Sequence, residues 1–268
     1  MTSAVAGGEP MNVRSGTVKS ADRTVELLEL LALAERRLTL TELHRELNYP
    51  KSSLFMLLQT LVARGWVEPD ADRTTYGLGV RALLVGGSYL DHDPVVRAAV
   101  RVLERMRDQV EGTFHLARLD GPDVVLLASR ASRQVPPRAV RLGQRLPAGS
   151  TALGKIVLAQ RPWAEADRRL PVPLPAATPR TITDRGQLRE QLARFRASGY
   201  AFDHAESTLG LSCFAVAVTG GHLVQDALGC TLPMGRLSDQ LGRRVVETLR
   251  TGSRQLTELL RRNGLASS

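Results

Sequence analysis

Apolar residues recur at helical spacing in two short neighbouring stretches. Leu40, Leu43 and Leu47 stand at i, i+3 and i+7, and Leu54, Leu57, Leu58, Leu61 and Val62 at i, i+3, i+4, i+7 and i+8. Each stripe predicts one helix with a single buried face. Thr39 followed by Glu42 has the spacing of a capping box for the first helix, and Pro50, with φ preset and no N–H to lose, suits the first turn of the second. The connecting turn then falls at about Glu46 to Tyr49. The face left over on the second helix carries Lys51, Ser52, Ser53, Phe55, Met56 and Gln59, groups able to donate to phosphates or touch base edges. An isolated helix pair is equally any hairpin in a core, so the next residues matter. Gly65 is placed to end the helix, Trp66-Val67-Glu68 reads as a strand, Pro69 to Arg73 as a turn and Thr74-Thr75-Tyr76 as a return strand closed by Gly77. Two helices followed by a hairpin make a winged helix-turn-helix. A preceding helix from about Ser20 to Ala34 supplies Val25, Leu27, Leu28, Leu30, Leu31 and Leu33 to close a three-helix core over the pair.

Beyond it, Leu78 to Tyr89 continues as a helix rich in small residues, and Asp91-His92-Asp93-Pro94 marks a break. A second helix, about Val95 to Val110, carries the stripe Val95, Val96, Ala99, Val102, Leu103 and Met106. The period then changes. Strands are expected at Phe114–Leu119, Val124–Ser129 and Ala139–Leu142, then near Tyr200–His204, Cys213–Val218 and Leu223–Thr231. Helices are expected at Thr151–Ala159, Leu188–Ala197 and Leu237–Arg262. This gives an α+β chain divided into a tail (1–16), a winged helix-turn-helix (17–79), a linker helix (80–93) and a second domain (94–264).

Composition adds limits. The first sixteen residues are small and polar, lack the apolar stretch of a signal peptide and read as a disordered tail, with Met11 as an alternative start. No run of about 18 apolar residues suggests a membrane span, and two cysteines suggest no disulfide framework, so the expected location is a reducing cytoplasm. The net charge of +9 tempts an argument for nucleic acid, but its distribution is against one. Residues 1–80 hold nine Lys or Arg against ten Asp or Glu, and the remaining 188 residues hold 27 against 17. Bulk charge therefore says little, and local placement says more. Lys19, Arg23, Lys51, Arg64 and Arg73 sit at helix ends, on the reading helix or on the wing, with Thr39 and Thr75 completing the candidate DNA contacts. Arg36 and Arg37 read as solvated surface.

The segments VKSADRTVELLELLA, LTLTELHRELNYPKSSLFMLLQTLVARGWVE and YGLG resemble the DNA-binding domain of the IclR family of bacterial transcriptional regulators. The likeness continues through FHLARLDG (114–121), RLPAGSTALGK (145–155), TPRTIT (178–183) and GYAFDHAESTLGLSC (199–213), covering roughly residues 17 to 262. It implies a GAF-like effector-binding domain, double-stranded operator DNA and a small organic acid as partners, and a homodimer or homotetramer joined at the connecting helices. Repression is the family habit. The loop Ser150-Thr151-Ala152-Leu153 matches the one whose backbone holds the ligand's carboxylate, a role a helix N-terminus can fill on physical grounds alone. Asp203, Leu211 and Cys213 match the polar, apolar and thiol walls, and Gly229 and Thr231 fall where the family often has two hydroxyl residues. Gly229 removes one of them. On the reading face, Phe55 and Met56 depart from the usual polar run: either they pack on thymine methyls, or Phe55 tucks beneath the helix.

Metal binding and catalysis are the two other chemistries these residues raise. His204, Cys213, His222 and Cys230 are zinc-capable but lack the close pairs of structural zinc sites, and no cofactor is expected. No nucleophile elbow, phosphate-binding loop or dinucleotide fingerprint occurs, and no obvious nucleophile accompanies His115, so no enzyme is expected. A GAF-like enzyme and a co-regulator that does not touch DNA remain the alternatives.

Overall fold

The computed structural model describes residues 18–132, 141–219 and 224–262. The expected tail lies outside them. Two compact units divide between Tyr89 and Leu90.

The first unit runs α1 (Lys19–Leu33), β1 (Leu38–Thr39), α2 (Leu40–Leu47), α3 (Lys51–Ala63), β2 (Val67–Pro69) and β3 (Thr75–Leu78). Leu27 and Leu31 of α1, Leu43 of α2 and Leu54, Leu58 and Leu61 of α3 are buried together with Val67 and Tyr76. Burying side chains of this kind contributes about 1.5–3 kcal/mol each, which is why the helical spacing alone located the elements. The capping box forms as the spacing predicts: Glu42 N–H donates to Thr39 Oγ1 at 3.2 Å, and Thr39 N–H to Glu42 Oε2 at 2.8 Å. Asn48, at φ 54°, makes the left-handed turn after α2. The wing is three-stranded rather than two-stranded. Leu38 and Thr39 pair with Tyr76 and Thr75, adding an edge strand too short to leave a periodic signal. Helix α4 (Val80–His92) follows, with Val80, Leu83, Leu84, Val85 and Tyr89 exposed.

The second unit is an antiparallel sheet of six strands in the order β6-β5-β4-β9-β8-β7: β4 Thr113–Asp120, β5 Asp123–Arg130, β6 Arg145–Pro147, β7 Ala201–His204, β8 Leu211–Ala217 and β9 Asp226–Pro233. Helices α5 (Pro94–Gln109) and α9 (Asp239–Arg262) pack on one face, and α6 (Ala152–Ala159) and α8 (Arg185–Ser198) lie on the other side, with α7 (Trp163–Arg169) against α6. Each face has its own core. Asp93 caps α5 by accepting from the N–H groups of Val95 and Val96, with Pro94 in the first turn. Arg118 of β4 binds both Asp93 and Asp226, tying the start of α5 to the sheet. No described helix is long and apolar enough to cross a membrane.

The stripe Val96, Ala99, Val102, Leu103 and Met106 is buried against its own sheet and α9, with Val95 only partly buried. Two strand expectations do not hold. Of the strand expected at Ala139–Leu142, residues 139–140 lie outside the described set and Arg141-Leu142 lead into a turn at Gly143, whose φ is 77°. The strand actually beside β5 is β6, three residues long. The last strand begins at Asp226 rather than Leu223, which lies outside the described residues.

Candidate functional site

The first candidate surface is the outer side of α3. Leu54, Leu58 and Leu61 turn inward, which leaves Lys51, Ser52, Phe55, Met56 and Gln59 exposed. Phe55 is 42% and Met56 65% exposed, so Phe55 does not tuck beneath the helix. A solvent-facing aromatic next to a methionine is a surface able to meet thymine methyls.

The basic residues of this unit sort into two groups. Arg36 is held by Glu42 at 2.5 Å, Arg37 Nη1 donates to the Glu68 carbonyl, and Arg45 pairs with its neighbour Glu46. The hydrogen bond from Arg36, with the Thr39 N–H, holds the Glu42 carboxyl down at about 2. Lys19, Lys51, Arg64 and Arg73 have no ion-pair partner among the described residues, and all four are exposed. Near-neutral bulk charge thus conceals free cations at the start of α1, at both ends of α3 and on the wing. Arg73, at φ 55°, sits in the wing turn, which Asp70 fixes by accepting from the N–H groups of Thr74 at 2.7 Å and Thr75 at 3.0 Å. Those bonds, Thr75's first, bring the Asp70 carboxyl to about 2.

Three expected contacts are already engaged inside the unit. Arg23 lies over the Tyr49 ring at 4.6 Å and donates to Ser53 Oγ at 3.3 Å, bracing α1 against the start of α3. Thr39 spends its hydroxyl on the capping box. Thr75 is half-buried in the wing sheet.

The second candidate site is a cavity of about 120 Å³ between the start of α6 and strands β4, β9 and β8. Thr151, Leu153, Asp203, Leu211, Cys213 and Thr231 line it, as expected. Three expected residues do not. Ser150 faces a separate hollow of about 60 Å³ beside Pro171 and Leu174, Ala152 is buried in the core between α6 and the sheet, and Gly229 lies beneath the Leu153 side chain. Thr151 caps α6 by accepting from the Gly154 N–H at 3.1 Å, which leaves the earlier N–H groups of the helix without intrahelical acceptors.

The sequence reading missed His115, Thr113, Gln144 and the 207–208 turn, all of which line this cavity. Period-two alternation along β4 puts Thr113 and His115 on one face, and register brings them beside Thr231 and Gly229 of β9. The alternation was legible, but the pairing partner 116 residues away was not. His115 Nε2 lies 3.1 Å from Thr231 Oγ1, and Nδ1 bonds the Ser129 hydroxyl. Burial lowers its pKa to about 4, so the ring is neutral at pH 7. Burial, aided by the nearby Asp203 charge, pushes the Cys213 thiol up to about 12, making it a neutral wall rather than a nucleophile.

Asp203 is raised by burial, while its oxygens accept from Glu206 N–H at 2.6 Å and Ser207 Oγ at 2.7 Å. Glu206 in turn meets Lys155 Nζ at 2.6 Å, a pair whose side chains are 8% and 0% exposed. Thr178 and Thr181 donate to the carbonyls of Ala205 and Glu206 at 2.7 and 2.6 Å. The segment after β7 is therefore fastened to α6 and to the 178–181 loop. No Lys or Arg lines the cavity among the described residues. A larger groove of about 1110 Å³ runs between α8, β7 and α9, but it is open and holds none of the expected ligand contacts.

Among the described residues the zinc-capable side chains do not assemble into a site. Cys213 pairs across from Thr231 and Cys230 from Phe214, so strand alternation points the two thiols to opposite faces. His222 lies outside the described residues, and among the described residues no three metal-capable side chains converge.

Matches to known protein families fall on both units of the chain. Residues 20–71 match the IclR helix-turn-helix domain, and residues 87–258 match the domain described as bacterial transcriptional regulator IclR C-terminal. The HTH-type transcriptional regulator BhcR of Paracoccus denitrificans is 32% identical over 206 residues, covering 76% of this chain and 73% of that protein. The transcriptional repressor IclR of Escherichia coli is 28% identical over 229 residues, covering 84% of each chain. The crystal structure of an IclR-type transcriptional regulator from Alicyclobacillus acidocaldarius superposes with a TM-score of 0.81 at 27% identity, covering 91% of this chain and 99% of that one.

Proposed function

Because the chain belongs to the IclR family of bacterial transcriptional regulators, which bind DNA and are not enzymes, we propose that it is an operator-binding repressor controlled by a small carboxylate-bearing metabolite. The enzyme alternative falls with family membership. The observation that carries the ligand reading is the cavity at the N-terminus of α6, lined by His115 and Cys213, both neutral at pH 7, by Thr113 and Thr231, and by Asp203, whose oxygens accept from Glu206 N–H and Ser207 Oγ. Helix N-terminal N–H groups and the helix dipole favour an anion there without a cationic side chain. The similarity to a protein named as a transcriptional repressor supports the sign of regulation.

On the DNA side, α3 enters the major groove with Phe55, Met56 and Gln59 against base edges, while Lys19, Lys51, Arg64 and Arg73 meet phosphates. Two such heads are needed to read two half-sites, and the exposed apolar residues of α4 are the surface proposed to join the subunits. Of the two connecting helices, it is thus the linker helix α4, rather than the buried stripe of α5, that offers a surface for this role. Ligand control requires different affinities for the free and operator-bound forms, because equal affinity shifts nothing.

The reading is tested by mapping bound sites across the genome and then titrating the recovered operator complex with carboxylates made or consumed by the products of neighbouring genes. An acid that changes operator affinity at least fivefold, and binds the free protein correspondingly better or worse than the complex, is the expected result. If every such acid binds both forms equally, the control mechanism is wrong.

A further inference from the structure

Gly229 is buried at the centre of the sheet, opposite His115 on β4 and Ala215 on β8. A Cβ at this position would lie 2.7 Å from Leu153 Cδ2, 3.1 Å from its Cγ and 3.2 Å from the Phe214 carbonyl oxygen. The Leu153 side chain therefore occupies the notch that glycine leaves. Leu153 is only 3% exposed and lines the cavity, so one side chain both fills the notch and bounds the ligand space. The two positions are sterically coupled: any side chain at 229 must displace the leucine, and a smaller residue at 153 opens the notch to the cavity.

The volume gives the consequence a scale. The cavity measures about 120 Å³, whereas an engineered apolar cavity of about 150 Å³ accepts benzene. By that standard there is room for about five non-hydrogen atoms, short of a six-membered ring. We propose that Leu153, seated over Gly229, is the specificity-determining residue that sets the upper size limit of the ligand and excludes aromatic molecules. The proposal rests on the cavity being the effector site, as argued above.

The test measures calorimetric binding of phenol and benzoate to wild type and L153A. Both probes carry a ring, but only benzoate carries a carboxylate. The expected result is no saturable binding to wild type and binding of both probes by L153A, at one site per chain and at least tenfold tighter than any wild-type response. If L153A takes phenol but not benzoate, the size limit stands and the carboxylate reading of the site fails. Binding of either probe by wild type as tightly as by L153A, or no gain of either probe in L153A, overturns the size limit. Thermal melting of G229A, L153A and the double variant provides a readout independent of ligand. G229A is expected to lower the melting temperature more in the wild-type background than in L153A, and equal drops in both backgrounds contradict the steric coupling.

Discussion

At the residue scale, the buried titratable groups make the sharpest claims. Lys155 and Glu206 form an ion pair with almost no exposed surface. Removing one partner of such a pair strands a buried charge, at about 3–5 kcal/mol. K155M should therefore lower stability to urea by that order, and K155M/E206Q should cost less than K155M alone; additive losses would show that the two are not coupled. His115 gives a pH signature. Its pKa falls from 6.5 to about 4 on burial, so between those values the unfolded chain binds a proton that the folded chain refuses. The associated stability is present above pH 6.5 and is lost as pH falls toward 4. From pH 7.5 to 4.5 wild type should lose about 2–3 kcal/mol more than H115Q in urea titrations, and parallel curves would contradict a buried neutral imidazole. Neither group's partners were legible in the sequence. Lys155 sits in a helix of otherwise apolar residues, and nothing local says that its partner lies 51 positions away. Thr151, Cys213 and Thr231, by contrast, were legible through the family resemblance and do line the cavity.

At the element scale, legibility followed the length and regularity of the hydrophobic period. Helices α1, α2, α3, α5 and α9 fall within a residue or two of their expected bounds because each buries one periodic face. The two-residue β1 and three-residue β6 were missed, since elements so short span too little of a period to register, and the seven-residue α7 was missed because, with Ala166 its buried residue, it carries no apolar stripe. Periodicity also cannot name the partner of a stripe. The α5 stripe turned out to pack within its own unit, and α4, with Leu83 72% and Leu84 63% exposed, carries the uncovered apolar surface. If α4 joins subunits, L83E/L84E should sediment as monomer where wild type sediments as dimer or larger, with operator affinity falling in parallel. An unchanged oligomer would move the interface elsewhere. T39A tests the capping box separately: loss of the cap should cost about 1 kcal/mol.

At the scale of the whole molecule, charge is the property most easily misread. The net +9 resides outside the DNA-binding unit, and what that unit offers DNA is a small set of unpaired cations around an exposed α3. The central claim, that this chain acts on the genome through the face opened by Lys51, is met most directly by comparing occupancy maps of wild type and K51A expressed at equal level from the native promoter. Losing a phosphate contact should weaken binding about equally across sequences and reduce the salt dependence of affinity by about one unit of slope. The account predicts discrete wild-type peaks that K51A diminishes or loses together, while the folded state and oligomer are unchanged. An undiminished K51A map would contradict it.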